Sequence, residues 1–290
     1  MNKTARFTSI AIFLIFAILI SGGSLTSALS AEKFLIGTSA DYPPFEWVDE
    51  KGDLVGFDMD VMRIIAMIEG YEAEIKDMSF DSLIPALQSG KIDIAAGLQI
   101  NKERAKVIDS SNPYIEILMG VAVRKDSDLN IISAFDKGRK VGAQRGTAQA
   151  KWVQKKCIEK GVDVKLEVYE TNDLAVMDLV NGRLDGYIAN TIPLKEFVRN
   201  NPIRVSGVIY DLRANFAYLV KKGDPKKLLP HLNGGLKKLE GDAWNNLLDA
   251  YFSGDVKKVT DCRGKFGHYL TKEKDVSAYA ENMKQCMTAK

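Results

Sequence analysis

The chain has 290 residues, 46% hydrophobic and 27% charged, the make-up of a globular protein with room for one large domain or two of medium size. A net charge of +2 gives no case for the concentrated basic surface that nucleic-acid binding uses. Two histidines and three scattered cysteines argue against a zinc site or a His-based triad, so neither metal nor cofactor is expected.

Residues 1–30 read as an export signal. Lys3 and Arg6 give a positive start, Ile10 to Ile20 form an apolar core, and Ala28 and Ser30 suit a cut after Ser30. No cysteine follows the apolar core, so a lipid anchor is not expected. Without Lys3 and Arg6 the acidic and basic residues balance at 38 each, and the mature protein is expected to work outside the cytoplasm. An oxidising compartment allows disulfides, and Cys262 with Cys286 is the favoured pair. Cys157 reads as a surface-helix residue with no partner.

A short apolar strand, Phe34 to Thr38, runs into an aromatic loop held by Pro43 and Pro44. Asp58 is placed as the N-cap of a helix whose apolar side carries Met59, Val61, Met62 and Ile65, with Gly70 as its stop. A second strand holds Ala73, Ile75 and Met78. Next comes a helix through Leu83, Ile84 and Leu87, ended by Gly90 in a left-handed cap. The apolar run from Ile92 to Ala96 then fits a strand covered on both faces. This β-α-β-α-β order predicts a parallel sheet with helices on its faces, and ligands bind at the carboxyl ends of such strands. Gly97, Gln99 and Arg104 lie there, and Arg104 is read as the holder of an anionic group.

After a strand from Ile115 to Val123 the pattern restarts. A short strand at Lys140 to Gly142 precedes the turn Arg145-Gly146-Thr147 and a helix through Trp152 and Val153. Another strand spans Val164 to Val168, and a helix runs from Asn172 to Val180. LVNGRLDGYIANTI, starting at Leu179, aligns without gaps on LQSGKIDIAAGLQI, starting at Leu87, 92 residues earlier. A repeat of that period suggests two similar lobes rather than a solenoid. It makes Gly97–Gln99 and Ala189–Thr191 equivalent loops facing each other across a cleft, where small-molecule sites form. Asp93 and Asp185, matched by the repeat, read as structural. A strand from Asn215 to Lys221 returns the chain. The expected division is lobe 1 over 31–122 plus 216–290, with 255–290 as a C-terminal extension, and lobe 2 over 123–215.

The export signal together with GTSADYPPFEW, LVGFDMDVM, FDSLIPALQSGKIDIAAGLQINKER and VGAQRGTAQ resembles the family-3 extracellular solute-binding proteins, the polar-amino-acid receptors of ABC importers. The resemblance covers about residues 34–252. It implies a periplasmic-binding-protein-like type II α/β fold, two lobes joined by two crossover strands that close over one ligand. It also implies a periplasmic monomer that hands a small amino acid or related carboxylate to an inner-membrane permease, without catalysis. By the resemblance, Arg104 grips the ligand's carboxylate, a match of paired donors to paired acceptors. Backbone N–H groups around Gly97 and Gln99, with Thr147 at a helix start, complete the anion site. Tyr42 and Phe80 match the flanking rings.

Asn190 stands where α-amino-acid binders of the family usually carry an aspartate, Ser39 stands at an often acidic position, and Arg145 stands where an uncharged residue is common. Three explanations follow. Another carboxylate (Asp41, Glu116 or Asp211) holds the ammonium, or the ligand lacks a free α-ammonium, or the protein is a relative that no longer transports amino acids. Alternative functions are a non-transport periplasmic binding subunit, serving a sensor or an oxidoreductase, and a periplasmic dehydratase of the same fold.

Overall fold

The computed structural model describes residues 31–267 and 275–289, with the backbone alone at 211 and 212. The segment read as an export signal and the Asp211 side chain lie outside the described residues. Strands β1 (Lys33–Thr38), β2 (Asp41–Tyr42), β3 (Glu46–Val48) and β4 (Leu54–Val55) lead into helix α1 (Phe57–Glu69). Then come β5 (Glu72–Asp77), α2 (Leu83–Ser89), β6 (Ile94–Gln99), β7 (Ile108–Ser110) and β8 (Ile115–Arg124). The second half holds β9 (Lys140–Gln144), α3 (Ala148–Lys156), β10 (Lys165–Tyr169), α4 (Asn172–Val180), β11 (Gly186–Asn190) and α5 (Thr191–Asn200). The chain closes with β12 (Ile203–Lys221), α6 (Leu228–Leu239), α7 (Asp242–Phe252), α8 (Val256–Phe266) and α9 (Val276–Thr288).

Local chemistry sets most of these limits. Gly70 and Gly90 end α1 and α2 in the left-handed conformation, where a side chain would be strained. Thr147 and Thr171 cap α3 and α4 by accepting the N–H of Ala150 and Leu174. Asp58 is not the N-cap of α1. Gly56 occupies that position, and Asp58 sits buried in the first turn, where Tyr114 donates a 2.7 Å hydrogen bond to its Oδ2.

One sheet of nine strands runs β10-β9-β11-β8-β12-β6-β1-β5, with β7 beside β12. At one end β5, β1 and β6 are parallel; at the other, β10, β9 and β11 are parallel. Between them β8 and β12 pair antiparallel over their length and bridge the two halves. β12 begins twelve residues before the expected Asn215. The early part carries register shifts at Val205/Gly207 and Ile209/Arg213, which break the alternation that marks a strand in sequence.

The described residues from 33 onward hold together as one unit, and their apolar cores sort into two groups. One group draws on residues 34–117 and 216–287, the other on residues 121–203. This is the two-lobed type II architecture. The repeat has a physical counterpart. Asp93 gives its N–H to the Leu35 carbonyl and accepts the Leu35 N–H on Oδ2, at 2.8 and 2.9 Å. Asp185 does the same with Lys140, at 2.8 Å in both directions. Each aspartate clasps its own strand to its neighbour, the structural role read from the sequence.

The C-terminal residues form two helices fixed against lobe 1. Cys262 and Cys286 are joined, with Cα atoms 5.9 Å apart. Cys157 is free and buried, not on the surface as expected, because it packs beside Val153 and Val164. Closing a loop the size of that between Cys262 and Cys286 removes roughly 3–4 kcal/mol of chain entropy from the unfolded state. Cys262→Ser is expected to lower stability in urea denaturation by that order, and added reductant to act on the parent protein alone.

Candidate functional site

The two halves of the sheet meet at a cavity. From lobe 1 it is lined by Ser39, Asp41, Tyr42, Glu46, Phe80, Gly97, Gln99, Arg104 and Phe216. From lobe 2 it is lined by Gln144, Thr147, Ala148, Gln149, Asn172, Ile188, Ala189 and Asn190. The carboxyl ends of β1, β6, β9 and β11 all open here, and so does the N-terminus of α3. Eight of the nine residues singled out from sequence thus come together.

Arg104 is 4% exposed. Its Nη1 donates to the Gln99 carbonyl at 2.8 Å and its Nη2 to the Gly146 carbonyl at 3.3 Å, while the guanidinium lies over the Phe80 ring at 5.3 Å. Among the described residues no carboxylate stands within ion-pair distance of it. Burial alone pulls its pKa down to about 10, so it remains a cation near neutral pH. Asn101 positions it by accepting the Arg104 N–H at 2.8 Å. The first turn of α3 faces the same space, and Thr147 holds that turn by donating to the Gln144 carbonyl at 2.7 Å. A guanidinium beside a helix N-terminus is a site for an anion.

The opposite side is a network of neutral groups and acids. Asn190 Oδ1 accepts from Tyr42 at 2.7 Å and from Gln149 Nε2 at 2.8 Å, while its Nδ2 has no partner among the described residues. Asp41 accepts the Asn172 N–H at 2.6 Å, the Gln144 amide at 3.1 Å and the Ser39 hydroxyl at 3.1 Å. Its pKa is raised, burial outweighing these hydrogen bonds. Asp41 therefore ties lobe 1 to the start of α4. The lip of the cavity carries another tie, Glu103 with Lys151 and Lys155 of α3, which holds the exposed Glu103 near pKa 2 through hydrogen bonds from both ammonium groups.

Arg145 is the one singled-out residue that does not line the cavity. Its backbone N–H is taken by the Tyr169 carbonyl at 2.7 Å, and its half-exposed side chain turns outward to Asp81, 3.8 Å away. Glu116 is also away from the cavity, paired with Arg213 at 2.6 Å. Glu46, by contrast, is not legible in sequence as a site residue. Gln144, Gln149 and Asn172 escape sequence reasoning as well, since lone amides carry no signal. Glu46 is 2% exposed and lies against Gly97, which has φ +73° in β6. A Cβ on Gly97 would fall 2.1 Å from Glu46 Oε1. Gly97→Ala is expected to abolish ligand binding and lower the melting temperature, since it strains the backbone and displaces the carboxylate; calorimetry reads both.

A two-lobed α/β fold with a polar cleft between its halves defines a binding protein that closes on a small solute. The sequence model of the bacterial extracellular solute-binding proteins, family 3, matches residues 34–254, and the chain belongs to that family. It is 31% identical to the ABC transporter arginine-binding protein 1 of Escherichia coli (strain K12), over 78% of this chain and 93% of that protein. Among solved structures, an ancestral arginine-binding protein bound to arginine superposes with a TM-score of 0.71 at 33% identity, over 77% of this chain and 99% of that one. AncCDT-1, an ancestral amino acid-binding protein and precursor of cyclohexadienyl dehydratase, superposes with a TM-score of 0.68 at 30% identity, over 76% and 95%. Residues 255–289, with both disulfide cysteines, lie beyond the family match. No helix among the described residues is long and apolar enough to cross a membrane.

Proposed function

We propose that this protein captures a cationic amino acid outside the cytoplasm and delivers it to an ABC permease, acting as a monomer without catalysis. The observation that carries this reading is Arg104, a buried cation that hydrogen-bonds to carbonyls, lies over the Phe80 ring and has no counter-charge among the described residues. A buried charge without a counter-charge is costly, and a ligand carboxylate removes that cost. Arg104 and the first turn of α3 take the α-carboxylate, Tyr42 and Phe80 flank the ligand, and Asn190 meets its α-substituent as a neutral hydrogen-bonding group. Glu46 supplies negative charge deep in the cavity, in place of the carboxylate that Asn190 does not carry. The arginine named for the similar proteins supports a cationic side chain.

In this reading residues 31–122 and 216–290 form one lobe and 123–215 the other, and they close by bending at β8 and β12. The export segment is removed after Ser30, leaving a periplasmic protein. Titration calorimetry of refolded, ligand-free protein against L-arginine, L-lysine and L-histidine tests the ligand class. Micromolar or tighter binding of at least one is expected; binding of dicarboxylic or 2-oxo acids alone would overturn the reading.

A further inference from the structure

Beneath the cavity two carboxyl groups are buried together. Glu46, on β3, lines the cavity, and Asp58, in the first turn of α1, lies behind it. Both are almost wholly shielded from solvent, and among the described residues neither has a cation at ion-pair distance. Each leaves one oxygen, Glu46 Oε2 and Asp58 Oδ1, with no donor among the described residues, and the Asp58 N–H bonds the Phe45 carbonyl at 3.0 Å, which places Asp58 beside the start of β3. Two ionised carboxylates cannot hydrogen-bond, because neither holds a proton to donate. A proton held by the pair supplies a donor where the orphan oxygens have none.

The surroundings reinforce this. Asp41 adds further negative charge, Tyr42 and Tyr218 are neutral phenols close by, Tyr114 donates to Asp58 Oδ2 at 2.7 Å, and the Gly97 N–H is aimed at Asp58. Arg104 lines the same cavity but pairs with carbonyls. Burial pushes Glu46 well above the ordinary carboxylate range and Asp58 up to about 7, with mutual repulsion raising Glu46 further.

We infer that the pair holds one proton in the ligand-free cavity and releases it when the ligand's cationic group arrives. Glu46 and Asp58 start with one negative charge between them. The incoming cation makes the second ionisation favourable, the proton leaves to solvent, and two carboxylates then face the cation. Asp58 does not line the cavity; it is a positioning residue that sets the protonation of Glu46. The inference rests on the proposed cationic amino-acid ligand.

The test is calorimetric titration of L-arginine into the full-length mature protein near pH 7, repeated in buffers of different ionisation enthalpy. The slope of observed enthalpy against buffer enthalpy counts protons. Up to one proton released per arginine is expected, with affinity rising as pH is raised towards neutrality, by as much as about tenfold per pH unit. L-citrulline, the neutral isostere, is expected to release none, and Asp58→Asn to bind arginine with a proton count near zero. Arginine binding with no proton released by the parent protein overturns the inference alone. Failure of every cationic amino acid to bind overturns both the inference and the reading beneath it.

Discussion

Arg104→Ala is expected to weaken ligand binding by at least about a hundredfold while leaving the melting temperature of the ligand-free protein unchanged or higher. A hydrogen bond to a charged group contributes about 1.5–3 kcal/mol, a bidentate pair makes two, and each 1.4 kcal/mol is a factor of ten. The stability arm follows from what Arg104 lacks. It is buried with carbonyl partners and no counter-charge among the described residues, so removing it relieves a cost to the folded state. Arg104→Lys keeps the charge but not the planar fork, and an intermediate loss is expected. Calorimetry reads affinity and differential scanning calorimetry reads stability. A large fall in melting temperature would show that Arg104 works as a structural anchor.

Arg263→Ala is expected to do the reverse, lowering stability strongly while leaving ligand affinity within a few-fold. Asp60 is fully buried in α1 and accepts two 2.6 Å hydrogen bonds from Arg263 of α8, one at 2.8 Å from Tyr279 of α9, and one from Tyr251 of α7. Arg63 adds a further ion pair at 3.0 Å. Breaking a buried pair by removing one partner costs about 3–5 kcal/mol, which for a domain of this size is roughly 10 °C in melting temperature. Burial would raise the Asp60 pKa, but Arg263 and Arg63 override it and hold it near 2, below its ordinary 3.8. A depressed carboxylate pKa adds stability that is fully present above pH 3.8 and is lost as pH falls through about 2. In Arg263→Ala that acid limb should move upward, and urea denaturation between about pH 2 and 7 follows it.

The contrast between these two arginines also marks what the sequence could reveal. Arg104 follows a buried strand and lies just past a segment that the chain repeats, so its place near a strand end can be read in advance. Arg263 sits in VKKVTDCRGKF, where it is one basic residue among several, and only the packing of α8 against α1 turns it inward. Glu46 is hidden for another reason. In a strand, neighbours point to opposite faces, so buried Phe45 and Trp47 suggest an outward Glu46. This short strand is covered on both faces, by core on one side and by the cavity on the other. Arg145 fails in the opposite sense, because its turn can be placed but the direction of its side chain cannot.

The strand-helix alternation, the glycine stops and the twin aspartates depend on local rules, and they are legible. The length of β12 is not, since bulges erase its alternation. The pairing of Cys262 with Cys286 is readable only because few cysteines are available to choose from.

The contact of Glu103 with Lys151 and Lys155 at the lip of the cavity bears on the medium in which the protein works. These side chains are about half exposed and belong to opposite sides of the cleft. Exposed charges are screened by dissolved ions, with a Debye length of about 8 Å at physiological ionic strength and about 3 Å at 1 M. Under the proposed opening of the two lobes this pair parts, so salt is expected to act on the closed form. Ligand release is therefore expected to be faster in concentrated salt than in dilute, so the ionic strength of the surroundings would tune how long a captured solute is held.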